Sequence, residues 1–169
     1  MSDYQPCQQT VYLADSDATA AFAQQFAPLL CGKQATAHFD EKGGRIHLHG
    51  DLGAGKTSFA RALLQACGVC GRIKSPTYAL IESYNVSNLQ MYHLDFYRFS
   101  DTLEWVDAGF RDIFQDHHII LIEWPERAGE QLPPPDMDIT LEYEGSGRTA
   151  HCVARSERGR RWLSTLTTP

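Results

Sequence analysis

Residues 50 to 57 read Gly50-Asp51-Leu52-Gly53-Ala54-Gly55-Lys56-Thr57, with Ser58 behind them. Glycine, four residues, then Gly-Lys-Thr is the spacing that holds a phosphate chain. The glycines let successive backbone N–H groups curl around phosphate oxygens with no Cβ in the way. A helix that starts directly behind the loop adds the partial positive charge of its N-terminus at the same point. In this arrangement Lys56 is expected to reach the β- and γ-phosphates, and the Thr57 hydroxyl to ligate Mg²⁺.

The flanks decide whether such a pattern is a site, and here they suit it. Ile46-His47-Leu48-His49 reads as a short strand. Lys56 to Cys67 reads as a helix with Phe59, Leu63 and Ala66 on one face and Gly68 as its stop. A phosphate loop also needs an acid at the end of a neighbouring strand, to hold the Mg²⁺ shell or polarise water. In Leu89-Gln90-Met91-Tyr92-His93-Leu94-Asp95, a period of two places Met91, His93 and Asp95 on one face. In Ile119-Ile120-Leu121-Ile122-Glu123-Trp124, an apolar run ends on a carboxylate, the cleaner form of the same device. Asp95 and Glu123 are the candidate acids. Trp124 is either a core aromatic or the rim of the site. Thr77, in Ser75-Pro76-Thr77-Tyr78, is either a γ-phosphate sensor of the switch type or part of a plain turn. His93 reads as a packed strand histidine, and His117-His118 as a solvated loop.

Elsewhere the chain alternates strands and helices. Val11 to Ala14 is a short strand; Asp15 or Ser16 caps a helix carrying Phe22, Phe26, Leu29 and Leu30, which Pro28 bends or shortens. Lys33 to Gly44 reads as a loop with a possible short strand. Ala79 to Tyr84 and Leu89 to Phe96 form a hairpin around residues 85 to 88. Asp101 to Phe114 reads as short helices broken at Gly109, and Pro133-Pro134-Pro135 as a stiff connector. Asp138 to Tyr143 and Thr149 to Ala154 form a second hairpin around Gly145-Ser146-Gly147, and Glu157 to Leu166 a closing helix. The expected fold is α/β, a single P-loop domain over residues 1 to 169, with a core from about 10 to 155. Its sheet is mixed and mainly parallel, with antiparallel hairpin additions.

Bulk properties narrow the partners. At 169 residues and 19.0 kDa, with 43 % hydrophobic and 21 % charged residues, the chain suits one soluble domain. A formal net charge of -6 argues against a broad nucleic-acid face, and no DNA partner is expected. Arg158-Gly159-Arg160-Arg161 reads as a solvated helix edge. No apolar run approaches a membrane span and no secretory leader is visible, so the expected location is cytoplasmic. The five cysteines are widely spaced, and the lone Cys67-Gly68-Val69-Cys70 lacks the second pair a zinc site needs.

Four elements occur together in order: the phosphate loop, Ser75-Pro76-Thr77-Tyr78, Tyr92-His93-Leu94-Asp95-Phe96-Tyr97-Arg98, and Ile122-Glu123-Trp124-Pro125-Glu126. In order and spacing they resemble the TsaE (YjeE-type) family, the small bacterial ATPase of tRNA threonylcarbamoyladenosine biosynthesis. The resemblance runs from about residue 10 to about residue 154. It implies a mixed-sheet P-loop fold, hydrolysis of ATP with Mg²⁺, and assembly with TsaD- and TsaB-type proteins, with tRNA met only through that complex. Carried over, residues 50 to 58 and Lys56 hold phosphate, and Thr57 and Glu123 hold Mg²⁺. Asp95 is a catalytic or structural acid, Thr77 the switch-like threonine and Trp124 the aromatic beside the site. Arg148 resembles a nucleotide-contacting position. The stretch from Gln34 to Arg45 departs from the family, being longer and more polar than its short connection. Two other readings use the same loop: a small-molecule kinase, which the scarcity of arginines after the nucleotide helix disfavours, and a binding switch that scarcely hydrolyses.

Overall fold

Alternating apolar positions build one seven-stranded sheet in which the phosphate-loop strand is central. The computed structural model describes residues 7–32 and 42–169. In chain order the elements are β1 (Gln8–Leu13), α1 (Ser16–Gln24), α2 (Ala27–Leu30), β2 (Gly44–His49) and α3 (Lys56–Ala66). There follow β3 (Ile81–Val86), β4 (Leu89–Asp95), α4 (Glu104–Asp107), β5 (Ile119–Glu123), β6 (Met137–Glu144), β7 (Gly147–Ala154) and α5 (Glu157–Leu163). Short 3₁₀ segments cover Phe110–Ile113 and Pro125–Gln131. The strand order is β1-β7-β6-β2-β5-β4-β3. At the centre, β2 runs parallel to β5 and β6, and β5 parallel to β4. The hairpins β3–β4 and β6–β7, with β1 on β7, add the antiparallel flanks. This is the mixed α/β sheet expected from the strand–loop–helix pattern.

Alternation assigns the two faces. Phe22 and Phe26, of α1 and its exit, meet Phe59 of α3 with ring centroids 6.3 and 5.7 Å away, and this cluster continues onto Ile46, Leu48, Met91, Ile119 and Leu121. The opposite face packs Leu94, Phe96, Ile120 and Ile122 against Phe99, Trp105 and Ala128. The α3 face therefore also carries His93, Asp95 and Glu123, which continue the alternation of Met91 and Leu121. His47, His49 and Asp138 fall on the other face. There burial lowers the His47 pKa to about 4. His49 is raised to about 9: burial opposes its charge, but hydrogen bonds to Asp138 and Glu126 outweigh it.

Several boundaries move from their sequence expectation, each for a local reason. Asp15, not Ser16, caps α1, its carboxylate accepting from Ala18 N at 2.8 Å. Pro28 sits in the first turn of α2, where its missing N–H costs nothing, so one expected helix becomes two. Strand β3 starts at Ile81 rather than Ala79, because Leu80 takes a left-handed φ of +68°. The first hairpin closes on Ser87–Asn88 alone, both with positive φ, the sense that matches strand twist. The break at Gly109 stands where expected, at φ +77°. The loop expected from 33, and most of the divergent stretch from 34, lie outside the described residues.

α5 is fastened by Asp136, which is 7 % exposed. Its carboxylate accepts from Arg45 N at 2.9 Å and from Ser156 Oγ at 2.6 Å, while Ser156 Oγ caps the helix by accepting from Gly159 N at 3.0 Å. The helix lies so close that a Cβ on Gly159 would stand 1.9 Å from Asp136 O. Helix propensity alone favours alanine over glycine by about 1 kcal/mol. Steric overlap with backbone outweighs that gain, so Gly159→Ala is expected to destabilise the fold by about 1–3 kcal/mol. Urea denaturation of the two proteins gives the sign.

Candidate active site

The loop between β2 and α3 takes its shape from close approach. Gly50 has φ +135°, and a Cβ there would lie 2.4 Å from Leu141 O of β6. Gly55, at φ +109°, is the residue from which α3 starts. Within the loop, Ala54 is buried and its N–H donates to Asp51 O at 3.0 Å, while Leu52 at the tip is exposed. Lys56 is turned inward and only 4 % exposed. Its ammonium donates to Gly50 O and, at 2.9 Å, to Asp51 O, and it lies 4.2 Å from the centroid of a Trp124 ring. Burial holds the Lys56 pKa below its ordinary value, although Glu123, Glu126 and Asp95 pull the other way.

Two carboxylates stand abreast beside this loop. In the parallel ladders, Glu123 pairs in register with Asp95 of β4 on one side and with Leu48 of β2 on the other. Glu123 is 2 % exposed and both its oxygens are occupied. Oε2 accepts from Thr57 Oγ1 at 2.9 Å, and Oε1 is 2.7 Å from His93 Nε2. His93 is fully buried and its Nδ1 has no partner among the described residues, so the ring proton is assigned to Nε2, facing the carboxylate. Asp95 Oδ1 accepts from Tyr97 N at 2.9 Å and Oδ2 from Thr77 Oγ1 at 3.2 Å, with Ser75 Oγ a further 2.8 Å from Thr77. Burial raises the Asp95 pKa above its ordinary value, and the charge of Glu123 acts in the same direction.

These groups open onto a cavity of about 220 Å³, lined from one side by Gly53, Gly55, Lys56, Thr57 and Ser58 and from the other by Thr77, Asp95 and Glu123. Trp124 roofs it from a left-handed backbone (φ +56°), with Tyr97 packed on the indole at 5.0 Å. The sequence candidates Lys56, Thr57, Ser58, Thr77, Asp95, Glu123 and Trp124 are thus brought together. Arg148 stands behind the loop rather than in the cavity lining, its Nη2 donating to Gly53 O at 3.3 Å beside the Tyr143 ring. Arg98 stacks 4.2 Å from the ring centroid of the exposed Tyr78, and Arg111 reaches Gln131 on the surface. The sequence reading missed Tyr97 and the role of His93. The H-x-D spacing on a period-two strand is the signal that puts His93 beside the acids.

The chain matches the family model described as threonylcarbamoyl adenosine biosynthesis protein TsaE over residues 13–151. The chain belongs to the TsaE family. It is 36 % identical over 157 residues to the tRNA threonylcarbamoyladenosine biosynthesis protein TsaE of Haemophilus influenzae, covering 93 % of this chain and 96 % of that one. The Bacillus subtilis protein of the same name is 37 % identical over 110 residues, 65 % of this chain and 68 % of its own. The crystal structure of Bacillus subtilis YdiB superposes with a TM-score of 0.71 at 26 % identity, over 96 % of this chain and 97 % of that one. The span matched to the TsaE family model, residues 13–151, includes the glycine loop, both strand-end acids and Arg148.

The buried Glu123 makes a stability prediction in this TsaE chain. His93→Ala leaves one carboxylate oxygen desolvated and unpartnered, at an expected cost of about 1–3 kcal/mol beyond the lost packing. His93→Gln keeps a donor and is expected to lose less. Chemical denaturation of the two variants side by side measures the difference.

Proposed function

We propose that this chain is a Mg²⁺-dependent ATPase of the cytoplasm that supports tRNA threonylcarbamoyladenosine formation together with TsaD- and TsaB-type partners. The observation that carries the reading is Glu123, held between Thr57 and His93 with Asp95 abreast, at the mouth of a glycine loop. The donor set fits the ligand. Gly50 admits no side chain against Leu141 O, and Gly53 and Gly55 line the cavity without one. The Thr57 hydroxyl and the Glu123 carboxylate are hard oxygen donors of the kind Mg²⁺ takes.

Thr57 and Glu123 would hold a Mg²⁺ ion, which would supply positive charge against the phosphate oxygens. The chain's own residues do the rest. Thr57 and Glu123 hold the cation, and His93 keeps the Glu123 carboxylate in its rotamer. Lys56 leaves the carbonyls of Gly50 and Asp51 for phosphate oxygens. Asp95, whose pKa burial raises, would accept a proton from the attacking water, with Thr77 holding its Oδ2. The Trp124 and Tyr97 rings exclude bulk water.

Lys56→Ala is expected to abolish phosphate release while the chain still folds, its melting temperature lowered modestly by two loop carbonyls that lose their donor. An ATPase assay with a thermal melt checks both, and full turnover in a folded variant defeats the assignment. Glu123→Ala is expected to raise the Mg²⁺ concentration for half-maximal activity, and Asp95→Asn to lower kcat with ATP affinity nearly kept. If Mg²⁺ titration shows the reverse, the two roles exchange.

Among the described residues, no arginine lines the cavity. An arginine supplied in trans is worth about a thousandfold or more in phosphoryl hydrolases. Turnover is therefore expected to be slow for the pure chain and to rise when TsaD- and TsaB-type proteins are added. Brisk turnover indifferent to those proteins would show a self-sufficient site. Phosphate release without any acceptor separates this reading from a kinase.

A further inference from the structure

We propose that His47, His49 and Asp138 form a binding site for a divalent transition metal of the zinc class, on the face of the sheet opposite the phosphate loop's acids. His47 and His49 are two apart on β2 and share a face; Asp138 on β6 is the registered partner of His47. Among the described residues these three offer ligand atoms that all lie within 4.8 Å of one another. Asp138 Oδ1 is 2.8 Å from His49 Nε2 and 3.9 Å from His47 Nδ1. Bonds of about 2.0–2.1 Å in tetrahedral geometry place ligand atoms ~3.3 Å apart, between those two separations.

The second observation is His47 itself. It is 6 % exposed, yet among the described residues its Nε2 has no hydrogen-bond partner, and its Nδ1 stands too far from Asp138 for one. Nδ1, the nitrogen nearer Asp138, is thus uncommitted, and a metal there would give this ring the partner it lacks on that side. The surroundings are arranged as outer partners of a metal site. Arg155 Nε holds Asp138 Oδ2 at 2.7 Å, leaving Oδ1 to the histidines. Glu126 faces His49 Nδ1 at 3.5 Å, which orients that ring with Nε2 toward the cluster, as carboxylates do for metal-bound histidines. Two imidazoles and one carboxylate select Zn²⁺, Co²⁺ or Ni²⁺ over Mg²⁺. Side-chain exposures of 30 % for His49 and 17 % for Asp138 leave room for a water as fourth ligand.

The position gives the ion leverage. His49 is the last residue of β2 before Gly50, and Glu126 follows Trp124 by two residues. A bound ion ties β2, β6 and the segment behind Trp124 to one point beneath the phosphate loop.

The test uses the full chain, stripped with a chelator and titrated with Zn²⁺ by calorimetry in excess Mg²⁺, which keeps the Thr57–Glu123 donors out of competition. One equivalent is expected to bind and to raise the melting temperature. His47→Gln and His49→Gln should each weaken binding by more than tenfold, and Glu126→Gln by about 10- to 100-fold as an outer partner. Melts without metal establish that each variant is folded; should His47→Gln fail, His49→Gln, near the strand end, carries the comparison. Co²⁺ is expected to give a visible spectrum without the near-ultraviolet band of thiolate ligation. No stoichiometric binding, equal affinity in His49→Gln, or a thiolate band that assigns the metal to cysteines overturns the proposal.

Discussion

Glu123 is almost wholly removed from water, and a carboxylate so placed survives only with partners for its oxygens. It has two, Thr57 from α3 and His93 from β4. That requirement fixes much else. Thr57 reaches it only if α3 begins at Lys56, which needs the left-handed Gly55 ahead of it. His93 reaches it only if β4 lies next to β5 in parallel register, which also sets Asp95 abreast of Glu123. The glycine loop, the helix start and the central ladder are therefore conditions on one buried charge.

The sheet keeps its polar groups apart by face. Apolar residues from α1 and α3 cover the strands up to the point where Met91 and Leu121 give way to His93, Asp95 and Glu123. A second apolar cluster around Trp105 covers β4 and β5 from the other side. β2 and β6 instead carry His47, His49 and Asp138 on that other side, bounded by Glu126 and Arg155. Two polar constellations thus lie on opposite faces of the sheet, with Glu126 facing His49 and also acting on the Lys56 ammonium.

Much of the fold was legible because its signals are local. The glycine loop, the period-two strands and the glycine stops each declare themselves within a few residues, and the apolar run into Glu123 marked a buried parallel strand. What stayed hidden is what pairing decides. His93 read as a packed strand residue, and packed it is; that it packs onto Glu123 depends on β4 lying beside β5, about 30 residues along the chain. The role of Tyr97 follows from Trp124 adopting a left-handed turn, which nothing in the tryptophan's neighbours announces. His47 and His49 were seen only as strand residues before the loop, since Asp138 comes from the far side of the sequence. Arg148 was named from resemblance alone; the hairpin carries it back to Gly53.

The inward posture of Lys56 has a consequence for how the loop greets any anion. Its ammonium is already bonded to two loop carbonyls and capped by an indole, so the cradle arrives with its own occupant. An incoming phosphate must evict that occupant before it gains the lysine's charge. The free-energy gap between the two lysine postures is subtracted from every affinity the loop displays, in proportion to how seldom the outward posture is populated. Anything that loosens the indole lid or the loop carbonyls would tighten phosphate binding without touching phosphate at all.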